Sequence, residues 1–182
     1  MTELDVNILQ ALFAVRDTGL VQFFAFMTLF GSTFVVGGIA LAAGILLLGR
    51  SRLANFAGLC TSVIGTIVVV FPLKDLIARA RPDILYQALS EDTFAFPSGH
   101  ASFSIALYGF LAYLTWKHVS NPTWRYAAIF AAAALILLIG FSRLYLGLHY
   151  LSDVVGGYLI GGAFLALGIW VSERLTRHPI WS

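Results

Sequence analysis

His149 and Asp153 have the side chains of a catalytic base and its orienting acid. They are four residues apart in the segment SRLYLGLHYLSD, so on a helix they would lie on one face. A carboxylate bound to one imidazole nitrogen fixes the tautomer and raises the basicity of the other nitrogen, as a nucleophilic histidine requires. The alternative is that Asp153 caps a helix and that His149 is an interfacial polar residue.

The tetrapeptide Pro97-Ser98-Gly99-His100 precedes an apolar segment and predicts the beginning of a helix, with Ser98 as a candidate cap. Backbone N–H groups at a helix N-terminus lack intrahelical partners and carry partial positive charge, which suits a bound phosphate. His100 would then lie in the first helical turn. The alternative is an ordinary helix start in which His100 makes only a structural hydrogen bond.

Three basic residues, Lys74, Arg81 and Arg143, could bind the negatively charged oxygens of a phosphate. Lys74 and Arg81 are seven residues apart, so they would project from nearly the same side of a helix that ends at Pro82. Arg143 adds a planar guanidinium that matches phosphate oxygens. Taken alone, the segment 74–82 also fits a basic helix end that reaches toward lipid headgroups. Combined with the two histidines, these cations predict a phosphoryl-transfer site.

The rest of the chain is unusually apolar. Of its 182 residues, 59% are hydrophobic and 11% are charged, against about 25% charged residues in a typical soluble domain. The mean hydropathy is +0.88, and the sequence therefore predicts an integral membrane protein. The net charge of +2 comes from scattered cations, which argues against a nucleic-acid partner.

Five apolar segments approach the roughly 20 residues that cross a bilayer as a helix. They are 33–49, 53–73, 101–116, 126–141 and 154–172. The stretch 20–30 either extends the first segment into one tilted helix or forms a separate short helix broken near Gly31 and Ser32. We expect residues 1–19 to form an amphipathic helix on the membrane surface. Residues 20–182 would form an all-α transmembrane bundle of five or six spans, and 1–182 a single domain.

The segments that carry the candidate residues are predicted to lie on one membrane face. The opposite face would hold Arg50, Arg52, Lys117, Arg125, Arg174 and Arg177. Because positive residues favour the cytoplasm, we expect the loops 74–100 and 142–153 to face the extracytoplasmic side of the cell membrane.

The last apolar segment contains a Gly-x-x-x-Gly pattern at Gly157 and Gly161. Small residues at this spacing let two helices approach closely. The pattern predicts close helix packing within this chain, with a dimer interface as the alternative.

The three clusters together resemble the signature of the type 2 phosphatidic acid phosphatase superfamily. That signature reads Lys, six residues, Arg-Pro; then Pro-Ser-Gly-His; then Ser-Arg, five residues, His, three residues, Asp. This chain keeps every spacing over residues 74–153. The resemblance implies a helical membrane bundle that needs no metal ion and no cofactor.

The resemblance also implies a role for each candidate residue. The phosphate oxygens would be bound by Lys74, Arg81, Ser98, Gly99 and Arg143. His149 would attack phosphorus and form a phosphohistidine, while Asp153 would orient it. His100 would protonate the leaving alkoxide, and water would later release phosphate.

The implied activity is a metal-independent lipid phosphate phosphatase. Its substrate would be phosphatidylglycerophosphate, phosphatidic acid or undecaprenyl diphosphate, and the motifs do not choose among them. Lipid phosphotransfer at the same site stays open, as does, from another class, a membrane anion transporter. Vanadate-dependent haloperoxidases share the pocket, but they are soluble. The expected partners are a membrane lipid phosphate and the bilayer, with the oligomeric state undetermined.

Overall fold

Residues 2–177, the part of the chain that the computed structural model describes, form seven α-helices, one 3₁₀ turn and no strand. The helices are α1 (Glu3–Ala14), α2 (Thr18–Leu29), α3 (Thr33–Gly49), α4 (Leu53–Ile77), α5 (Gly99–His118), α6 (Pro122–Tyr145) and α7 (Leu151–Thr176). The 3₁₀ turn is Ile84–Tyr86, within the loop between α4 and α5. The all-α prediction is confirmed.

Helix α5 lies at the centre of the bundle, against α4, α6 and α7. Its buried residues include Ala106, Leu107 and Phe110, which are fully shielded from solvent. The close approach of α7 to α5 depends on two glycines. A Cβ atom added at Gly157 would lie 2.6 Å from the carbonyl oxygen of Ser98, and one at Gly161 would meet the carbonyl of Ser102. The predicted close packing within the chain therefore occurs.

Three helices, α4, α6 and α7, are each long and apolar enough to cross a membrane. Helices α2 and α3 would add a fourth span if the pair, which is bent by 40°, crosses as one. Large apolar side chains on the helices are exposed, among them Phe34 at 93%, Phe130 at 71% and Leu159 at 69%. The chain is thus a multi-pass membrane protein, while five or six spans stay a prediction.

The N-terminal region resolves one of the two alternatives for residues 20–30. Helix α2 ends at Leu29, and α3 begins at Thr33 with the Ser32 hydroxyl accepting a hydrogen bond from the Val35 amide at 3.3 Å. The separate short helix is therefore the one observed. Helix α1 is present, but Asp5 on it is only 2% exposed, and its amphipathic placement on a membrane surface stays a prediction.

Four helix ends meet at one end of the bundle and carry the candidate residues. Helices α4 and α6 arrive with their C-termini, and α5 and α7 begin there with their N-termini. The long antiparallel helices thus bring residues from three separate stretches of sequence to one place.

Candidate active site

A cavity of about 250 Å³ opens where these four helix ends meet. Five of the predicted site residues line it: Lys74, Arg81, Gly99, His100 and His149. Both histidines therefore face one cavity. Ser98, Arg143 and Asp153 are not on its wall but are buried next to residues that are.

Lys74 and Arg81 reach the cavity from different elements. Helix α4 ends at Ile77, because Ala78 adopts the left-handed conformation with φ of 47°. The prediction that both residues project from one helix is therefore wrong. Lys74 is on the last turn of α4, whereas Arg81 lies in the following loop and donates from Nη1 to the carbonyl oxygen of Leu148 at 2.8 Å.

His149 lies in a tight turn between α6 and α7, not on a helix as predicted. Gly147 allows this turn because its φ is +68°, and a Cβ atom there would collide with the Tyr86 carbonyl. The Leu148 and His149 amides both donate to the Arg143 carbonyl, at 3.0 and 3.3 Å. The turn is thus fixed by its own backbone.

Asp153 is adjacent to His149 despite this difference. Its Oδ2 lies 3.5 Å from His149 Nδ1, too far for the predicted hydrogen bond, and Nδ1 has no partner among residues 2–177. The same Oδ2 accepts from the Tyr150 amide at 2.8 Å at the beginning of α7. Asp153 is therefore not the N-cap residue of the alternative interpretation, which is Tyr150, but it binds the N-cap amide from the first turn and also faces the imidazole.

The other imidazole nitrogen indicates the tautomer of His149. Nε2 lies 3.2 Å from Nη1 of Arg81, and a guanidinium can only donate hydrogen bonds. Nε2 must then be unprotonated, which places the proton of the neutral ring on Nδ1, facing Asp153. The electron pair on Nε2, which accepts from Arg81 here, is the one that a nucleophile uses.

Electrostatics keep this imidazole neutral. His149 is 2% exposed, and burial together with the nearby charges of Arg143, Arg81 and Lys74 holds the pKa of His149 well below its usual value. A neutral ring can attack phosphorus, whereas an imidazolium cannot.

Ser98 is at the N-cap position of α5, and His100 is in the first turn, as predicted. The Ser98 hydroxyl does not cap the helix, however, and it is fully buried with no hydrogen-bond partner among residues 2–177. Its amide donates to the Asp153 carbonyl at 3.0 Å. The His100 ring likewise makes no hydrogen bond within the described part of the chain, so the structural role considered for it is not observed.

Glu91 is a site residue that the sequence analysis missed. Its carboxylate joins two of the predicted phosphate-binding cations, with Oε2 2.7 Å from Arg81 Nη2 and Oε1 against Arg143 Nη2. Burial alone would raise the pKa of Glu91, but Arg143 and Arg81 hold it below its usual value. A single acid in a loop gives no periodic signal. The only available clue was that three predicted cations had no counter-charge.

Arg79 is the second missed residue. Its Nη1 donates to Asp153 Oδ1 at 2.6 Å and to the Ser152 hydroxyl at 2.7 Å. The sequence places Arg79 within the first basic cluster, KDLIARARP, but its position alone does not distinguish it from Arg81. Among residues 2–177, no group of three or more His, Cys, Asp or Glu side chains is arranged to hold a metal ion.

Comparisons with known proteins identify the family. Residues 55–177 match the family model described as the PAP2 superfamily. The chain is 35% identical over 106 residues to phosphatidylglycerophosphatase B of Bacillus subtilis, covering 58% of this chain and 52% of that protein. It is 36% identical over 127 residues to lipid A 1-phosphatase of Rhizobium etli, covering 65% of this chain and 50% of that protein. The matches thus span about half the length of these curated relatives.

A solved structure extends the likeness to nearly the whole fold. The crystal structure of the first transmembrane PAP2 type phosphatidylglycerolphosphate phosphatase from Bacillus subtilis superimposes with a TM-score of 0.85. The match covers 95% of this chain and 86% of that one, at 26% sequence identity.

Proposed function

Since the chain belongs to the PAP2 superfamily, we propose that it is a membrane lipid phosphatase that uses His149 as its nucleophile. The observation that carries the proposal is the position of His149 Nε2, which lies 3.2 Å from Arg81 in a cavity that His100 and Lys74 also line. Residues 1–182 would act as a single phosphatase domain.

Substrate binding would begin with an exchange of anions. The Glu91 carboxylate already bridges Arg81 and Arg143, with one oxygen on each guanidinium, and two oxygens of a phosphate could bridge them in the same way. A phosphate monoester would displace Glu91 and bind these two guanidiniums together with Lys74. The Ser98 hydroxyl, buried without a partner, and the Gly99 amide at the helix N-terminus would complete the set of donors.

The first chemical step would form a phosphoenzyme. The lone pair of His149 Nε2 attacks phosphorus, a P–N bond forms, and the P–O bond to the lipid breaks. The leaving alkoxide takes a proton from His100, whose protonated form is favoured by the negative charge of the bound phosphate. Asp153 faces Nδ1 and stabilises the positive charge that develops on the His149 ring.

The second step would regenerate the enzyme. His100 is now neutral and removes a proton from water, whose oxygen attacks phosphorus on the opposite side from His149. The P–N bond breaks and inorganic phosphate leaves. During both steps the fixed cations neutralise charge on the equatorial oxygens.

An apolar groove supports a lipid as the substrate. A cavity of about 370 Å³ runs between α3 and α4 and is lined almost entirely by apolar side chains. Its residues Gly37 and Ile67 lie one helical turn from Thr33 and Phe71, which line the site cavity. A hydrocarbon chain in this groove would hold the terminal phosphate at the cations. The names of the relatives favour phosphatidylglycerophosphate, with phosphatidic acid and undecaprenyl diphosphate as the alternatives.

The packing of the helices and the positions of the basic residues support a membrane orientation. Helix α5 is less apolar than α4, α6 and α7, but it is shielded by those three helices. It would therefore cross as the inner helix of five spans, or of six if α2 also crosses. Basic residues at the far end of the bundle favour a cytoplasmic position for that end, so the site would face the extracytoplasmic side of the cell membrane.

The proposal is tested by phosphate release from the purified protein in detergent. We expect release from at least one of phosphatidylglycerophosphate, phosphatidic acid and undecaprenyl diphosphate, with full activity in EDTA. No release from any of them would contradict a lipid phosphatase, and complete loss in EDTA would indicate a metal enzyme. Transfer of phosphate to an added alcohol without free phosphate would identify a phosphotransferase.

A further inference from the structure

The N-terminal helix makes a buried polar contact with the active-site end of α7. Asp5 on α1 is 2% exposed, and its Oδ1 accepts from the Ser152 amide at 2.9 Å. Its Oδ2 accepts from the Ser152 hydroxyl at 2.8 Å and lies 3.1 Å from Arg79 Nη2. Although burial opposes ionisation, these hydrogen bonds hold the pKa of Asp5 below its usual value, so Asp5 is a carboxylate.

Arg79 connects this carboxylate to the acid beside His149. One nitrogen, Nη2, contacts Asp5, while the other, Nη1, donates to Asp153 Oδ1 at 2.6 Å. The guanidinium also lies over the Tyr150 ring at 4.9 Å, which fixes its plane. Asp153 is therefore held at Oδ1 by Arg79 and at Oδ2 by the Tyr150 amide, leaving Oδ2 facing His149.

We propose that Asp5 and Arg79 are positioning residues, which set the Asp153 carboxylate against His149 through the chain Asp5–Arg79–Asp153. The inference rests on the proposed function, because it assigns work to the proposed nucleophile. Neither residue touches the site cavity. Both act through Asp153, so the N-terminal helix helps to position the active-site residues.

The positive charge of Arg79 explains why a second acid, on α1, is needed. An arginine bound to Asp153 alone would neutralise that carboxylate and weaken its effect on the imidazole. With Asp5 sharing the guanidinium, the three groups keep a net charge of −1 next to a ring that faces Arg81, Arg143, Lys74 and His100. Asp153 can then still stabilise the positive ring that forms in the first step.

The competing explanation is that Asp5 only anchors α1. The variant Asp5→Asn distinguishes the positioning role from the anchoring role, since asparagine has nearly the shape of aspartate but no charge. If Asp5 acts through Arg79, kcat falls about tenfold while KM changes less than about twofold, as is typical of partners behind the reacting groups. The matched control is Glu3→Gln, which removes the same charge from an exposed position on the same helix and should behave like the wild type.

Variants of Arg79 provide a second, independent measurement. Arg79→Gln should lower kcat about tenfold to a hundredfold, and Arg79→Lys, which keeps the charge, should recover part of it. The double variant Asp5→Asn/Arg79→Gln should be no slower than Arg79→Gln alone, because Asp5 has then lost the residue through which it acts. Additive losses, or Arg79→Lys no better than Arg79→Gln, would overturn the proposal.

Ligand binding decides the question without turnover. Orthovanadate mimics the five-coordinate transition state and needs a positioned His149, whereas inorganic phosphate needs mainly the cations. Asp5→Asn should weaken vanadate binding several-fold relative to phosphate, and Glu3→Gln should not. Equal vanadate-to-phosphate ratios in these two variants would refute the positioning role, even if the wild type hydrolysed none of the lipids. Failure of the wild type to release phosphate would count against the proposed function only.

Discussion

The two ends of the helix bundle differ in whether their buried polar groups have hydrogen-bond partners. At the end that carries His149, the Ser98 hydroxyl, Arg143 Nε and His149 Nδ1 are buried without hydrogen-bond partners, as is Arg16 Nε between α1 and α2. At the opposite end, a network joins α4, α5 and α7: Ser172 donates to Asn55, Asn55 contacts His118, and Tyr113 donates to Glu173. No buried side-chain polar atom of residues 2–177 lacks a partner there.

This difference distinguishes the end of the bundle that serves function from the end that serves stability. Unpaired buried polar atoms cost stability, so a fold tolerates them chiefly at functional sites. The satisfied network at the far end holds three helices together. We therefore expect substitutions at the two ends to affect different quantities.

The largest effect is expected from His149, with His118 at the opposite end of the bundle as its control. His149→Ala should lower kcat about 10⁴-fold or more, because it removes the proposed acceptor of the phosphoryl group. Its matched control, His118→Ala, should keep kcat within about twofold, since His118 contacts only the far network. Rates of phosphate release from the best lipid substrate provide the measurement. Similar losses in both variants would remove the distinction between the two ends.

The reverse pattern is expected for Asn55, which is 4% exposed. Asn55→Ala removes the partner of His118 and one of the two side-chain partners of Ser172, which keeps its contact with Tyr113. We expect the free energy of unfolding to fall by about 1–3 kcal/mol. The value of kcat should stay within about twofold at a temperature where the variant is folded. Asn7→Ala, at an exposed position on α1, is the control and should change neither quantity. Thermal unfolding in detergent and a kinetic assay test both statements.

A smaller effect is expected from Glu91, which occupies the cations in the absence of substrate. Glu91→Gln removes the competing carboxylate, so inorganic phosphate should inhibit about three- to tenfold more strongly. Asp92→Asn provides a control, because Asp92 lines the same cavity. Weaker inhibition in Glu91→Gln than in Asp92→Asn would show that Glu91 assists phosphate binding instead of competing with it.

The smallest effect is a dependence of stability on pH. Since the pKa of His149 is lowered in the folded protein, the unfolded chain binds a proton at a higher pH than the folded one does. This contribution to stability is therefore present above about pH 6.5, the ordinary histidine value, and is lost as the pH falls below it. The unfolding temperature of the wild type should drop more between pH 8 and pH 5.5 than that of His149→Gln, by a few degrees at most. An equal drop would contradict the lowered pKa.

The sequence predicted the members of the site better than the way they are held. His149 faces Asp153 as expected, but from a turn that Gly147 makes possible. Arg81 lines the cavity although left-handed Ala78 ends α4 before it. Residue types and their spacing predicted which side chains lie together. The backbone path between them depends on turns, and the conformation of those turns is determined only by the complete fold.

Two acids that the sequence analysis did not single out, Glu91 and Asp5, share one property. Glu91 contacts Arg143 across 52 positions, and Asp5 contacts Arg79 across 74. Contacts of such sequence separation leave no periodic pattern, and each of these acids reads as an ordinary charge in a loop or at a helix start. The Gly157 and Gly161 pair was predictable because close helix approach requires small residues at a regular spacing.

The central claim, that His149 carries the phosphoryl group, is tested most directly by trapping it. The enzyme would be mixed with a lipid phosphate labelled with ³²P, quenched within one turnover in alkali, and digested for peptide analysis. We predict a label on the peptide that contains His149, stable in alkali and lost in acid as expected of a phosphohistidine, and absent from His149→Ala. Turnover of the lipid with no labelled His149, or with the label on another residue, would contradict the account.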